Sequence, residues 1–229
     1  MKIQAEAQAV IFDLDGTLLN TIADIAQAIE PVLESRGYEG HPVEDYKDFV
    51  GHGLRNSLIN ALPADHGLSE KEIDLLYAQM MRNYGVNPYE NTIAYPGIER
   101  LLKLLQEMAI PVAILSNKDH ELTKRIVANR LGAFSFKKVQ GLCDDFPGKP
   151  DPGSARFISG LIGIPCERVL FIGDSEVDYQ VAVNAQMIPS IVSWGFRSSQ
   201  ELRKTVPYSL ICETPGQLIE TVKMKLGLD

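Results

Sequence analysis

Residues 9–17 read AVIFDLDGT, and this stretch decides the fold class. Its first part, Ala9–Phe12, is apolar at every position instead of alternating between apolar and polar. Such a run is typical of a parallel strand that is buried on both faces of a sheet. Asp13 and Asp15 follow at the carboxyl end of this predicted strand, and Gly16 allows the backbone to turn tightly there.

Further apolar runs recur along the chain, with helical patterns between them. The predicted strands are Val112–Leu115, Val169–Ile172 and Ile188–Val192, with weaker candidates at Val139–Leu142 and Tyr208–Ile211. The predicted helices are Gly97–Met108, Leu122–Leu131, Ser154–Ile162, Val177–Ala185 and Leu218–Leu226. This alternation favours an α/β protein with a Rossmann-like parallel sheet core flanked by helices.

Residues 21–90 interrupt the alternation, because they show helical periods and no convincing strand. An apolar stripe begins at Ile22, and Ser69 with Glu72 three residues later predicts a capping box at the start of a second helix. Pro31 is expected to kink the first helix or to end it early. We therefore predict an inserted all-helical cap domain at 21–90 and an α/β core made of 1–20 plus 91–229. The alternative is that these helices pack into the main core as ordinary helices.

The composition excludes several classes of protein. Of the 229 residues, 45% are hydrophobic and 23% are charged, as in folded globular proteins and unlike disordered chains. The net charge of −8 disfavours non-specific nucleic-acid binding. Apolar runs such as Ile110–Leu115 are far shorter than the roughly 20 residues of a membrane span, and we expect no signal peptide. Three widely spaced cysteines, Cys143, Cys166 and Cys212, indicate a reducing compartment, so we expect a cytoplasmic protein.

Polar side chains occur where three of the predicted strands end. Asp13 follows the first strand, Ser116 and Asn117 follow the second, and Asp174 follows the third. Ligands of open parallel sheets bind outside the carboxyl ends of the strands, so we expect these side chains to meet at one site.

The carboxylates at this edge predict a cation site. Asp13, Asp15 and Asp174 would repel one another in a partly dry site unless a divalent cation lay among them, and oxygen ligands favour Mg²⁺. Two alternatives remain open, a pair of turn aspartates or part of a calcium loop, although the later oxygen ligands of such a loop are missing. Lys149 could neutralise these carboxylates and bind a phosphate, or it could be a solvated surface lysine.

Four motifs, in this order, resemble those of the haloacid dehalogenase superfamily of aspartate-nucleophile hydrolases. They are Asp13–Leu18, Ser116–Asn117, Lys149–Pro152, and Gly173–Ser175 with Asp178. The resemblance covers essentially the whole chain, including a helical cap after the first motif. Within the superfamily the chain is similar to the phosphoglycolate phosphatase branch, through Val50–Gly53, Trp194–Ser198 and the pair Asn117 and Lys118. One departure is Asn20, where many relatives carry aspartate.

The resemblance implies a role for each motif residue. Asp13 would be the nucleophile that forms an aspartyl-phosphate, and Asp15 would be the general acid and then the general base. Mg²⁺ would be held by Asp13, by the backbone carbonyl of Asp15 and by Asp174, with Asp178 supporting this shell. The residues implied to bind the phosphoryl group are Gly16, Thr17, Ser116, Asn117 and Lys149.

In the cap, the resemblance points to a loop that selects the substrate. Gly51, His52 and Arg55 are the candidate specificity residues. The two-pronged guanidinium of Arg55 could clamp a carboxylate such as that of phosphoglycolate. The alternative is that this segment is a helix start with an exposed arginine.

Together these features predict a Mg²⁺-dependent phosphoric monoester hydrolase that acts on a small phosphorylated metabolite, with 2-phosphoglycolate as the favoured substrate. We expect a monomer or homodimer with no nucleic-acid and no membrane partner. Phosphoryl transfer as in β-phosphoglucomutase, or hydrolysis of inorganic pyrophosphate, would use the same motifs. A Mg²⁺-dependent binding protein is the non-enzymatic alternative. Dehalogenation of 2-haloacids is disfavoured, because it needs neither Mg²⁺ nor the acid at Asp15.

Overall fold

The sheet of this protein confirms the predicted α/β fold class. A computed structural model describes residues 6–228. Its strands are β1 (Ala9–Phe12), β2 (Leu19–Asn20), β3 (Ile93–Ala94), β4 (Val112–Asp119), β5 (Lys138–Leu142), β6 (Val169–Gly173), β7 (Ile188–Val192) and β8 (Ile211–Cys212). Six of them form one parallel sheet in the order β5-β4-β1-β6-β7-β8.

Ten α-helices occur in the described part of the chain. They are α1 (Ile22–Glu34), α2 (Tyr46–Phe49), α3 (Leu54–Ala61), α4 (Glu70–Val86), α5 (Ile98–Glu107), α6 (His120–Arg130), α7 (Gly153–Ile162), α8 (Glu176–Ala185), α9 (Ser199–Leu202) and α10 (Pro215–Leu226). Among residues 6–228, none of these helices combines the length and the apolar character needed to cross a bilayer.

Helices cover both faces of the sheet, which explains the continuous apolar runs. In β1, Val10 and Phe12 belong to a core cluster that includes buried residues of α5, α6 and α10. Ala9 and Ile11 belong to a second cluster, formed with α7 and α8. Successive side chains of a strand point to opposite faces, so a strand covered on both sides is apolar throughout.

The strand positions follow the predictions closely, with one displacement. β1 and β7 have the predicted bounds, whereas β4 continues beyond Leu115 to Asp119. The candidate strand at Tyr208–Ile211 is displaced: residues Tyr208–Leu210 form a 3₁₀ turn, and the strand is β8.

Residues 21–90, called the insert from here on, contain α1–α4 and lie along the chain between β2 and β3, which form a separate two-stranded sheet. These two short strands pair antiparallel, with Leu19 opposite Ala94, and were not predicted. Asp24 of α1 fixes the returning chain, because its carboxylate accepts the Asn91 amide at 2.8 Å and the Thr92 hydroxyl at 2.5 Å. The insert thus leaves and rejoins the core at one narrow ribbon.

Two predictions about helices in the insert had opposite outcomes. Ser69 and Glu72 form the expected capping box at the start of α4. Pro31, however, lies inside α1, and the helix continues to Glu34. The missing amide removes a single bond to the carbonyl of Gln27, which is exposed and can bind water instead. Burial of Val32 and Leu33 in the core favours continuing the helix beyond the proline.

Candidate active site

The candidate site lies at the carboxyl edge of the sheet, where β1 is flanked by β4 and β6. Phe12, at the end of β1, is aligned with Ile114 of β4 and with Ile172 of β6. Asp13, Ser116 and Asp174 therefore reach the same edge, as predicted, and they line a cavity of about 50 Å³. The insert supplies the remaining wall of this cavity, with Ile25, Val50, Gly51, Gly53, Leu54 and Ser57.

Lys149 joins two carboxylates of this site. Its Nζ lies 2.7 Å from Asp13 Oδ1 and 2.6 Å from Asp178 Oδ1, and all three residues are buried. The Asn117 side chain fixes the backbone of Lys149, because Oδ1 accepts the Lys149 amide at 2.7 Å and Nδ2 donates to the Lys149 carbonyl at 3.0 Å. Lys149 is therefore a fixed cation of the site and not a solvated surface lysine.

Neighbouring groups also fix Asp174 and Asp178. Asp178 is the third residue of α8, and its Oδ2 accepts the Ser175 hydroxyl at 2.6 Å within a capping box. Asp174 Oδ2 accepts the Phe196 amide at 2.7 Å, and Oδ1 accepts the Thr17 hydroxyl at 3.3 Å. These bonds hold the carboxylates in place despite their mutual repulsion.

The charge of this cluster fits a divalent cation. One oxygen from each of Asp13, Asp174 and Asp178 lies within 4.8 Å of the others. Burial raises the pKa of Asp13 well above its ordinary value, and burial together with Asp178 raises the pKa of Asp174 to about 7. Three carboxylates with one lysine ammonium carry a formal charge of −2. An oxygen-only donor set of this charge fits Mg²⁺.

Asp15 lies in a separate set of contacts on the side of the insert. Its Oδ1 accepts the Thr21 hydroxyl at 2.5 Å and lies 2.8 Å from Lys118 Nζ. Lys118 in turn donates to the Tyr84 hydroxyl of α4 at 2.5 Å. The expected acid is thus held by Thr21, the first residue of 21–90, by Lys118 of β4 and, through that lysine, by Tyr84 of α4.

Two of the residues expected to bind a phosphoryl group have other partners. The Gly16 amide donates to the Leu19 carbonyl at 2.9 Å, and the Thr17 amide donates to the Leu14 carbonyl at 3.4 Å. The Thr17 hydroxyl donates to Asp174. The turn and the carboxylate cluster therefore use these donors in this structure, and phosphoryl binding by Gly16 and Thr17 stays a prediction. Ser116, Asn117 and Lys149 do line the cavity, as expected.

Only one of the three candidate specificity residues lines the cavity. Gly51 lines the cavity, and its carbonyl accepts Asn117 Nδ2 at 3.3 Å. Arg55 lies outside the cavity, because it pairs with Glu70 at 2.7 Å and with Asp74 at 2.8 Å of α4. His52 lies with Arg55 along an open outer groove. The structure therefore does not bring Arg55 and His52 to the cavity, and their contact with a ligand stays a prediction.

Asn20, the departure from the family pattern, has a local structural role. Its Oδ1 accepts the Ile22 amide at 3.3 Å, which satisfies an amide at the start of α1. Its side chain does not line the cavity that holds the carboxylates.

Sequence reasoning did not identify Lys118, Tyr84 or Arg197 as site residues. Lys118 and Arg197 line the cavity, and Tyr84 binds Lys118. Lys118 was noticed only for its place beside Asn117. The contact of Tyr84 depends on the packing of α4 against the core and left no signal in the sequence.

Fold and site together define an α/β protein with a buried aspartate at the end of a central parallel strand, and comparison with known proteins places it among hydrolases. Residues 7–186 match the family model of haloacid dehalogenase-like hydrolases. The chain therefore belongs to this family.

Two curated relatives are similar over most of the chain. A phosphoglycolate phosphatase of Pseudomonas syringae pv. tomato is 32% identical over 211 residues, covering 88% of this chain and 75% of that protein. A phosphoglycolate phosphatase of Rhodobacter capsulatus is 33% identical over 196 residues, covering 84% and 87%. A crystal structure from Lactobacillus delbrueckii subsp. bulgaricus, provisionally described as a phosphoglycolate phosphatase, matches with a TM-score of 0.86 and 28% identity, covering 96% and 99%.

Proposed function

We propose that this protein is a Mg²⁺-dependent phosphatase that hydrolyses a small phosphomonoester, with 2-phosphoglycolate as the favoured substrate. The observation that carries the proposal is the position of Asp13, which is buried at the end of β1, 2.7 Å from the Lys149 ammonium. The choice of substrate is supported by the relatives from Pseudomonas and Rhodobacter, which are phosphoglycolate phosphatases.

The charges of the site suit attack on a phosphate ester. A phosphate monoester is a dianion, so a carboxylate can approach its phosphorus only where positive charge offsets the repulsion. Mg²⁺, when bound by Asp13, Asp174 and the Asp15 carbonyl, would supply part of this charge. Lys149 supplies the rest: its ammonium has three donors, and Asp13 and Asp178 use two of them. The third donor can bind a phosphoryl oxygen.

The proposed reaction has two halves. In the first, a carboxylate oxygen of Asp13 attacks phosphorus, the bond from phosphorus to the leaving oxygen breaks, and Asp15 gives its proton to that oxygen. In the second, Asp15 takes a proton from water, and the resulting hydroxide attacks the phosphorus bound to Asp13. Inorganic phosphate leaves, and the Asp13 carboxylate is restored.

We further propose that the insert acts as a cap domain, 21–90, over a catalytic core made of 1–20 plus 91–229. Val50 and Leu54 place apolar surface against the cavity that Asp13 lines, which supports a role in excluding water.

Release of inorganic phosphate from a panel of esters with Mg²⁺ tests this function. The panel contains 2-phosphoglycolate, pyrophosphate, sugar phosphates and nucleoside monophosphates, with Asp13→Asn as the matched control of equal size. We expect the highest kcat/KM for 2-phosphoglycolate and only background release by Asp13→Asn. Turnover by this variant at the wild-type rate would refute the nucleophile, and a preference for another ester would replace the substrate.

A further inference from the structure

Lys118 is a buried cation of the cavity that the proposed reaction does not use. Its side chain is 1% exposed, and its Nζ contacts Asp15 Oδ1 at 2.8 Å and the Tyr84 hydroxyl at 2.5 Å. Burial alone would lower the pKa of Lys118, but Asp15 and Tyr84 raise this pKa above its ordinary value. The ammonium therefore stays charged, and a buried charge of this kind is costly unless its surroundings compensate it.

The partners of the three cations that line the cavity differ. Lys149 contacts two carboxylates, whereas Arg197 donates to the backbone carbonyls of Lys47 and Val50 in the insert and lies 3.9 Å from the Glu176 carboxylate. Lys118 contacts one carboxylate and one neutral phenol. Because a lysine ammonium has three donors, Lys118 keeps one donor for a further acceptor in the cavity.

Lys118 lies beside the place that the leaving group would occupy. Asp15 protonates the leaving oxygen in the proposed reaction, so the first carbon of the leaving group must lie beside Asp15. The Lys118 ammonium, 2.8 Å from that carboxylate, is then the cation beside this carbon. The nearby wall contributed by Ile25, Val50 and Leu54 is apolar and cannot compensate an anion.

We propose that Lys118 determines the specificity of the enzyme by pairing with a carboxylate carried on the leaving group. This inference rests on the proposed function and deepens it: the favoured substrates are phosphate esters of short 2-hydroxy acids, and Lys118 replaces Arg55 as the residue that recognises their carboxylate. Tyr84 positions the ammonium, so that a residue of the insert takes part in the recognition.

Two substrates that differ in one charge test the proposal. 2-Phosphoglycolate carries the carboxylate, and 2-hydroxyethyl phosphate carries a neutral hydroxyl in its place. The measured quantity is the ratio of kcat/KM between them, in the wild type, in Lys118→Gln, whose amide still donates to Asp15, and in Lys118→Arg. Lys103→Met, at an exposed lysine of α5, is the control for the loss of a positive charge.

We expect the wild type to prefer 2-phosphoglycolate and Lys118→Gln to reduce this preference by about 30-fold or more, as the loss of one partner of a buried charge pair does. Lys118→Arg should recover part of the preference, and Lys103→Met should keep all of it. An equal loss for both substrates in Lys118→Gln would show that Lys118 only positions Asp15, which would overturn the proposal.

Other outcomes separate this proposal from the proposed function. A wild type that hydrolyses both esters with equal kcat/KM would refute the role of Lys118 and leave the phosphatase function standing. A wild type that hydrolyses neither ester would refute the role of Lys118, and the other esters of the panel would then decide whether the phosphatase function stands. If Lys118→Gln does not fold, Tyr84→Phe gives a second test: we expect a larger rise of KM for 2-phosphoglycolate than for 2-hydroxyethyl phosphate, and an equal change would count against the proposal.

Discussion

Asp15 shows how single side chains define the chemistry of this site. Thr21 and Lys118 both bind the same carboxylate oxygen, Oδ1. This leaves Oδ2 as the oxygen that can carry a proton to the leaving group. Asp13, the proposed nucleophile, is fixed differently, by Lys149. Two aspartates that are two residues apart therefore have separate partners, as an acid and a nucleophile require.

Asp15→Asn should separate the two halves of the reaction. Asparagine can keep the bonds at one oxygen, but it can neither donate nor accept the catalytic proton. We expect kcat to fall by about 10²–10⁴-fold, the usual contribution of a general acid or base. Intact mass spectrometry after mixing with substrate should show phosphorylated Asp13 accumulating, because its hydrolysis also needs Asp15. Wild-type rates in this variant would contradict the assignment.

A pair of glycine substitutions tests how tightly Asp174 is surrounded. A Cβ on Gly195 would lie 2.3 Å from Asp174 Oδ2 and 2.3 Å from the Gly16 carbonyl, so backbone would have to move. We expect Gly195→Ala to lower the free energy of unfolding by about 1–3 kcal/mol, as overpacking does. Gly160→Ala, where a Cβ on α7 meets nothing within 4 Å, should raise it by about 0.5–1 kcal/mol. Denaturant unfolding of both variants measures this, and equal stabilities would contradict it.

At the residue level, the sequence predicted the groups whose position depends on strand ends. Asp13, Ser116 and Asp174 reach one cavity because each follows a buried parallel strand. Arg55 could not be placed in this way, since its partners Glu70 and Asp74 come from a helix that packs beside it only in the folded insert.

At the level of elements, the segment after β7 joins the carboxylate cluster to the insert. The Phe196 amide binds Asp174, and the next side chain, Arg197, donates to the carbonyls of Lys47 and Val50. One short segment of the core thus holds both a proposed metal ligand and the part of the insert around α2.

Arg197→Met should loosen the insert without unfolding the core. The substitution keeps much of the apolar stem and removes the donors to Lys47 and Val50. We expect faster amide hydrogen exchange in residues 46–56 and unchanged protection of β1 and β6. Arg203→Met, which removes an exposed pair with Glu213, is the control and should leave residues 46–56 unchanged. Equal exchange in both variants would show that Arg197 does not hold the insert.

Helices and strands with a clear hydrophobic periodicity could be predicted from the sequence, and the shortest strands could not. The ribbon of β2 and β3 has two residues in each strand, too few to produce a recognisable pattern. Pro31 predicted a kink or an early end of α1. The helix continues to Glu34, because Val32 and Leu33 after the proline are buried. The sequence therefore predicted helices within 21–90 but not the pairing of β2 with β3 that flanks them.

At the scale of the whole molecule, the insert and the sheet share one apolar cluster. Ile25, Leu54 and Tyr84 of the insert belong to the same cluster of buried residues as Phe12 and Leu101 of the core. The carboxylate site lies beside this shared core, so its excess negative charge affects the stability of the entire chain.

Mg²⁺ should therefore stabilise the whole protein measurably. At a concentration of 100 times its Kd, a ligand that binds only the folded state adds roughly 2.7 kcal/mol, which corresponds to a rise in Tm of about 5–10 °C for a chain of this size. Thermal unfolding with Mg²⁺ and with a chelator measures the shift.

Asp174→Asn removes one repelling charge, so without metal it should not melt earlier than the wild type, and its response to Mg²⁺ should be much smaller. Asp65→Asn, at an exposed position of the insert, should respond like the wild type. An undiminished shift in Asp174→Asn, or no shift in the wild type, would contradict a Mg²⁺ site at this cluster.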